Sequence, residues 1–132
     1  MNRFYYIGML FAAFSMSSCF FTDYESEKIT SPSGDFKIST TVNRTKKEKD
    51  TYADVIVHLY NKQGNIQAVN TNAGDGSAWA IGWTVVGDTI VLQSSDIGNQ
   101  AWAIQQQTLV PLEMTDDLHE RAEQLYKEKY KD

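Results

Sequence analysis

Ala78-Trp79-Ala80-Ile81-Gly82-Trp83-Thr84-Val85-Val86-Gly87-Asp88-Thr89-Ile90-Val91-Leu92 is the stretch that decides the fold. Trp79, Ile81 and Trp83 fall on one face of an extended segment, and the small Ala78, Ala80 and Gly82 fall on the other. Large and small residues alternating with a period of two predict a strand over 77–84 whose alanine face is tightly covered. Val85-Val86-Gly87-Asp88 then makes a tight turn into a strand over 89–94, and Ser95-Asp96-Ile97-Gly98-Asn99 turns the chain into another over 100–106. Connections this short leave no room for a crossover helix, so neighbouring strands run antiparallel. Ala101-Trp102-Ala103-Ile104 repeats Ala78-Trp79-Ala80-Ile81, so the pattern is used twice.

Upstream the same period continues. Phe36, Ile38, Thr40 and Val42 alternate with Lys37, Ser39, Thr41 and Asn43, which predicts a half-buried strand. After the charged loop Lys46-Lys47-Glu48-Lys49-Asp50, residues 52–60 place Val55, Val57 and Leu59 on one face. Ile56, His58 and Tyr60 occupy the other, so this strand is expected to be central. Asn61-Lys62-Gln63-Gly64-Asn65 is a hairpin signal, because Gly64 can take the positive φ that a short bulged turn needs. A shorter strand over 66–70 follows, and Asn72-Ala73-Gly74-Asp75-Gly76 breaks the pattern.

Downstream of Pro111, the chain turns helical over 115–130. Thr115 is the expected N-cap, and Asp116 and Asp117 suit the positive end of the helix dipole. Leu118, Ala122 and Leu125 make one narrow apolar stripe, so the helix is expected to lean on its own sheet. The fold class is therefore mainly β, an antiparallel meander of about six strands with one C-terminal helix.

The first nineteen residues carry a different message. Asn2-Arg3 is a short positive start, residues 4–14 are almost continuously apolar, and Ser15-Met16-Ser17-Ser18 leads into Cys19, the one cysteine. That order is a secretory signal, and its apolar run is too short to span a bilayer. Ser17-Ser18-Cys19 resembles the lipobox of bacterial lipoproteins. The resemblance implies that Cys19 is lipidated and that acyl chains hold the protein durably to a membrane of the cell envelope. On this reading residues 1–18 are a signal peptide, 19–34 an anchor and tether, and 35–132 a single β-rich domain. The spaced acids of Thr22-Asp23-Tyr24-Glu25-Ser26-Glu27-Lys28 loosely resemble an export signal for surface lipoproteins, but they read first as solvated linker. Ser31-Pro32-Ser33-Gly34 resembles the turn that opens blades of β-propeller repeats, and Gly34-Asp35 is echoed by Gly87-Asp88. That resemblance implies a similar local meander, since a closed propeller needs at least about four blades.

The formal charge is −5, and loss of Arg3 with the signal takes it to −6. So acidic a chain lacks the clustered Lys and Arg of a nucleic-acid binder, and it offers little to anionic head groups beyond its lipid. His58 and His119 match no metal spacing, and no cofactor motif or nucleophile elbow occurs. The candidate ligand-binding residues are Trp79, Trp83 and Trp102, which would stack on sugars or anchor a partner if exposed and form core if buried. Asp75 and Asp96 join them as acids in glycine-containing loops. They are the paired carboxylates that glycoside hydrolysis would recruit or, with Asn72 and Asn99, the ligands of a calcium ion, or they simply make turns. Three functions follow: a non-enzymatic protein-binding lipoprotein (an immunity-type protein among them), a carbohydrate-binding module, and, with least support, an envelope hydrolase.

Overall fold

The structure, a computed structural model, describes residues 25–45 and 49–131. The readings that fall on Met1–Tyr24, Cys19 among them, and on Lys46-Lys47-Glu48 lie outside those residues.

The chain builds two antiparallel sheets of four strands each. β1 (Ile29–Thr30), β2 (Lys37–Val42), β3 (Asp54–Asn61) and β4 (Gly64–Gly74) pair in sequence order. β5 (Trp79–Trp83), β6 (Thr89–Ser94), β7 (Gln100–Gln105) and β8 (Thr108–Leu112) do the same. A 3-10 turn at Lys49–Thr51 precedes β3, and a single α-helix, α1 (Asp116–Lys129), follows β8 among the described residues. The expectation of about six strands is corrected to eight, and one meander becomes two. The two added strands lie at sheet edges, where half of the ladder is unpaired and the sequence demand is weakest. β1 is only two residues long and both are exposed. β8 contains Pro111, which lacks an N–H and is tolerated only on an edge.

The sheets pack face to face. Ile38, Val57 and Leu59 of the first meet Trp83, Ile90, Leu92, Trp102 and Leu109 of the second in one core. Burial of each large apolar side chain stabilises the fold by about 1.5–3 kcal/mol. The opposite face of the second sheet presents Ala80, Val91 and Ala101 to Ala122 and Leu125 of α1, with Met114 and Leu118 at the margin. The predicted stripe is thus the packed one. Thr115 caps the helix, its hydroxyl accepting from the Leu118 N–H at 3.3 Å. Gly82 allows the close approach, since a Cβ there would lie 2.6 Å from Leu125 Cδ2.

The ends of the sandwich differ. At one, the β1–β2 and β5–β6 turns touch: Ser33 donates from its N–H (3.2 Å) and its hydroxyl (2.5 Å) to the Asp88 carboxylate. Gly34 and Gly87 take matching φ values of 84° and 85°, so the echo read from the sequence marks equivalent turns of the two meanders. The β3–β4 and β7–β8 turns meet beside them, Asn61 Nδ2 donating to Gln107 Oε1 at 2.9 Å. The chain enters from the other end. Glu25 bridges to Thr41, and residues 25–30, read from the sequence as tether, run along β2 as part of the first sheet.

Candidate functional site

Trp83 and Trp102 are 4% and 5% exposed and belong to the core between the sheets. The helix does not cover them; it covers the alanine face behind them. Trp83 adds a bond between the sheets, its Nε1 donating to the Ile29 carbonyl at 2.9 Å. Trp79 is half-buried at the chain-entry end. Its Nε1 donates to Asp75 Oδ1 at 2.9 Å, and Arg44 pairs with Asp75 Oδ2 at 3.1 Å. The Lys129 ammonium sits 3.5 Å from the Trp79 ring centroid, a cation–π contact that occupies one face of the indole. Lys129 Nζ and the Tyr130 hydroxyl also donate to the Trp79 carbonyl, at 2.6 and 3.1 Å, and the Trp79 N–H lies 3.1 Å from the same hydroxyl.

Asp96 accepts from the Gly74 N–H at 3.0 Å. Asp75 and Asp96 therefore lie on neighbouring connections, and each carboxylate is engaged in holding a loop. Asn72 takes a positive φ of 65° in β4, and Asn99 hydrogen-bonds His119 at 3.0 Å. Among the described residues, no group of three or more His, Cys, Asp or Glu side chains converges to hold a metal ion.

Two constellations emerge that sequence reasoning missed. The first is on the outer face of the first sheet. Register pairs Ser39 with His58 across β2 and β3, and Tyr60 lies on the same face. Glu25 Oε1 accepts from the Ser39 hydroxyl at 2.6 Å and from the Tyr60 hydroxyl in a short bond. Thr41 Oγ1 meets His58 Nε2 at 2.7 Å, and Lys28 Nζ lies 4.7 Å from the Tyr60 ring centroid. Hydrogen bonds from Ser39 and Tyr60 hold the Glu25 carboxyl below the usual carboxylate range. Burial, with donation to Glu25 added, pushes the Tyr60 hydroxyl up. Serine, histidine, glutamate and tyrosine together suggest catalysis, but Ser39 is 1% exposed and its proton is committed to Glu25. Chemically the group is a clasp that fastens the entering chain to the sheet. Only cross-strand register brings these residues together, so no local motif announces them.

The second constellation is at the turn end. Val85 and Val86 are 74% and 84% exposed at the tip of the β5–β6 turn. The turn is braced from within: the Thr84 N–H donates to the Thr89 carbonyl at 2.9 Å, and its hydroxyl to the Val86 carbonyl at 2.8 Å. Between this tip and α1 runs an open groove of about 380 Å³, lined also by Asp117, Leu118, Glu120 and Arg121. The sequence did carry a signal here. Turn tips favour Gly, Asn, Asp, Ser and Pro, and adjacent valines contradict that rule.

Compared with known proteins, the chain matches no family, and neither a curated protein nor a solved structure resembles it significantly.

Proposed function

We propose that this protein is a lipid-anchored lipoprotein of the bacterial cell envelope whose folded part is a non-enzymatic protein-binding domain. The single observation that carries the binding half is the placement of two exposed valines on a braced turn, at the end of the sandwich away from chain entry. A lipid at Cys19 would hold the entry end near the membrane and display the turn end outward. Single large apolar groups on a surface are ordinary, but paired ones on a rigid tip beside a groove suit a partner. An immunity-type role, in which the tip meets an incoming toxin, is one form of this reading. The sugar-binding alternative retains support only from Trp79, since the other two indoles are core and one face of Trp79 is already occupied by Lys129.

Cys19→Ser tests the anchor. The wild-type protein should fractionate with membranes and incorporate labelled palmitate, and the variant should move to the soluble fraction unlabelled. Retention of the variant in the membrane pellet with undiminished acyl labelling would overturn the reading.

A further inference from the structure

We infer that the groove between the Val85–Val86 tip and α1 is a docking site for a basic, apolar segment of a partner protein. The inference rests on the protein-binding half of the reading above and is independent of the anchor. Three observations define the occupant. The apolar part of the lining is small, the exposed Val85 and Val86 on one side and the half-buried Leu118 on the other, so it takes one or two aliphatic side chains. Bracing by Thr84 holds the tip in place before binding, which lowers the ordering cost of association.

Charge decides the rest. Asp117 and Glu120 line the groove, both exposed, and neither takes part in an ion pair among the described residues. Arg121 is the groove's one cation, and it is turned inward. Its Nε donates to the Trp83 carbonyl at 2.8 Å, and its Nη1 reaches Gln124 at 3.2 Å and Glu128 at 3.6 Å. The groove therefore presents net negative charge beside its apolar lining. Lysine or arginine flanking the aliphatic side chain would meet Asp117 and Glu120, and complementary charge steers such a partner in.

The same facts disfavour other occupants. An anionic lipid surface is repelled by the two acids. It would also face the wrong end, because the six residues of β2 separate the chain-entry end from the turn end by roughly 20 Å. A second copy brings the same acids and the same negative charge to the contact.

The test uses the full lipidated chain in non-ionic detergent and three short fluorescein-labelled peptides, patterned Lys/Leu, Glu/Leu and Lys/Ser. Anisotropy should report saturable binding of the Lys/Leu peptide alone. Val86→Asp should weaken it about tenfold or more, and Val86→Ser severalfold. Asp117→Asn with Glu120→Gln should weaken it severalfold and flatten its salt dependence. Both valine variants change an exposed residue, so the fold should persist, and an unchanged circular dichroism spectrum verifies it. Equal binding of the Glu/Leu peptide, no saturable binding of any peptide, or indifference to all these variants would overturn the inference. So would a dimer in sedimentation that Val86→Asp dissolves, which would assign the groove to self-association. Membrane release of Cys19→Ser in parallel tells the two failures apart: lost peptide binding with an intact anchor removes the docking site and leaves the lipoprotein.

Discussion

The outer faces of the two sheets solve the same problem in opposite ways. Behind the second sheet, Ala80, Val91 and Ala101 are small or compact enough for α1 to lie directly on the strands, and the contact is apolar. Behind the first, Ser39, Thr41, His58 and Tyr60 are polar, and α1 has no counterpart among the described residues. Their hydroxyls and His58 Nε2 are met by each other and by Glu25, while His58 Nδ1 is buried without a partner, so this face is closed mainly by hydrogen bonds. The difference shows what each kind of closure demands of a sequence. An apolar lid needs small residues beneath it and a periodic stripe above, both of which are local patterns. A polar clasp needs particular side chains from distant segments, and register alone supplies them.

The largest effect should come from opening the apolar side. Leu125→Ala removes the side chain seated over Gly82 and should lower stability by about 3 kcal/mol in urea denaturation. A cost that small surface substitutions match would mean the helix adds little and the contrast between faces is false. Gly82→Ala approaches the same contact by overpacking and should cost about 1–3 kcal/mol. Its penalty should shrink in the Leu125→Ala background, where the clashing methyl is gone, so a double-mutant cycle that shows no coupling would break the proposed fit.

The polar side should yield less. Glu25→Gln weakens two charge-assisted bonds, but Glu25 is exposed, so after discounting for solvent the loss should be about 1 kcal/mol or below. The smallest and most selective effect is in pH. Because the folded-state pKa of Glu25 is depressed, its contribution is present above the ordinary carboxylate range, about 4.3, and fades as pH falls through the depressed value. Tyr60 is raised, so its contribution is intact below about 10 and fades as pH rises through the folded-state value. Thermal melts of Glu25→Gln should lose the acid-side slope that wild type and Leu125→Ala share. Identical slopes in all three would remove Glu25 from the clasp.

The same division explains what could be read in advance. The alternations at Phe36–Val42, in the Val55-Val57-Leu59 set and at Trp79–Trp83 are local and strong, and each became a strand. Thr115 and the Leu118-Ala122-Leu125 stripe set the helix for the same reason. The break expected over 72–76 after a short strand is corrected, since β4 runs on through Asn72 and Ala73 to Gly74 with only the last two residues of that stretch outside it. Nothing there says that the chain leaves one sheet for another. That fact is decided by Trp83 and Trp102 packing against Ile38 and Leu59, contacts between residues far apart in sequence. Glu25 lay hidden among spaced acids that look like linker. Val85-Val86 was in plain view inside a turn, and its meaning depended on the flank of α1 that the fold sets beside it.

The last residues of α1 have a consequence for how copies of this chain behave in a crowd. β5 is the outer strand of its sheet, and an outer strand offers unpaired backbone groups to any passing strand. Here the Trp79 carbonyl is taken by Lys129 and Tyr130, the Trp79 N–H contacts the Tyr130 hydroxyl, and the Trp83 carbonyl is taken by Arg121. The helix therefore also works as a guard rail along an open edge, and its side chains occupy positions that a neighbouring molecule would otherwise use to zip on. A chain ending before Lys129 would keep most of its core and the Arg121 bond to Trp83 but lose the cover over Trp79, and fibrous aggregation should be its first fault.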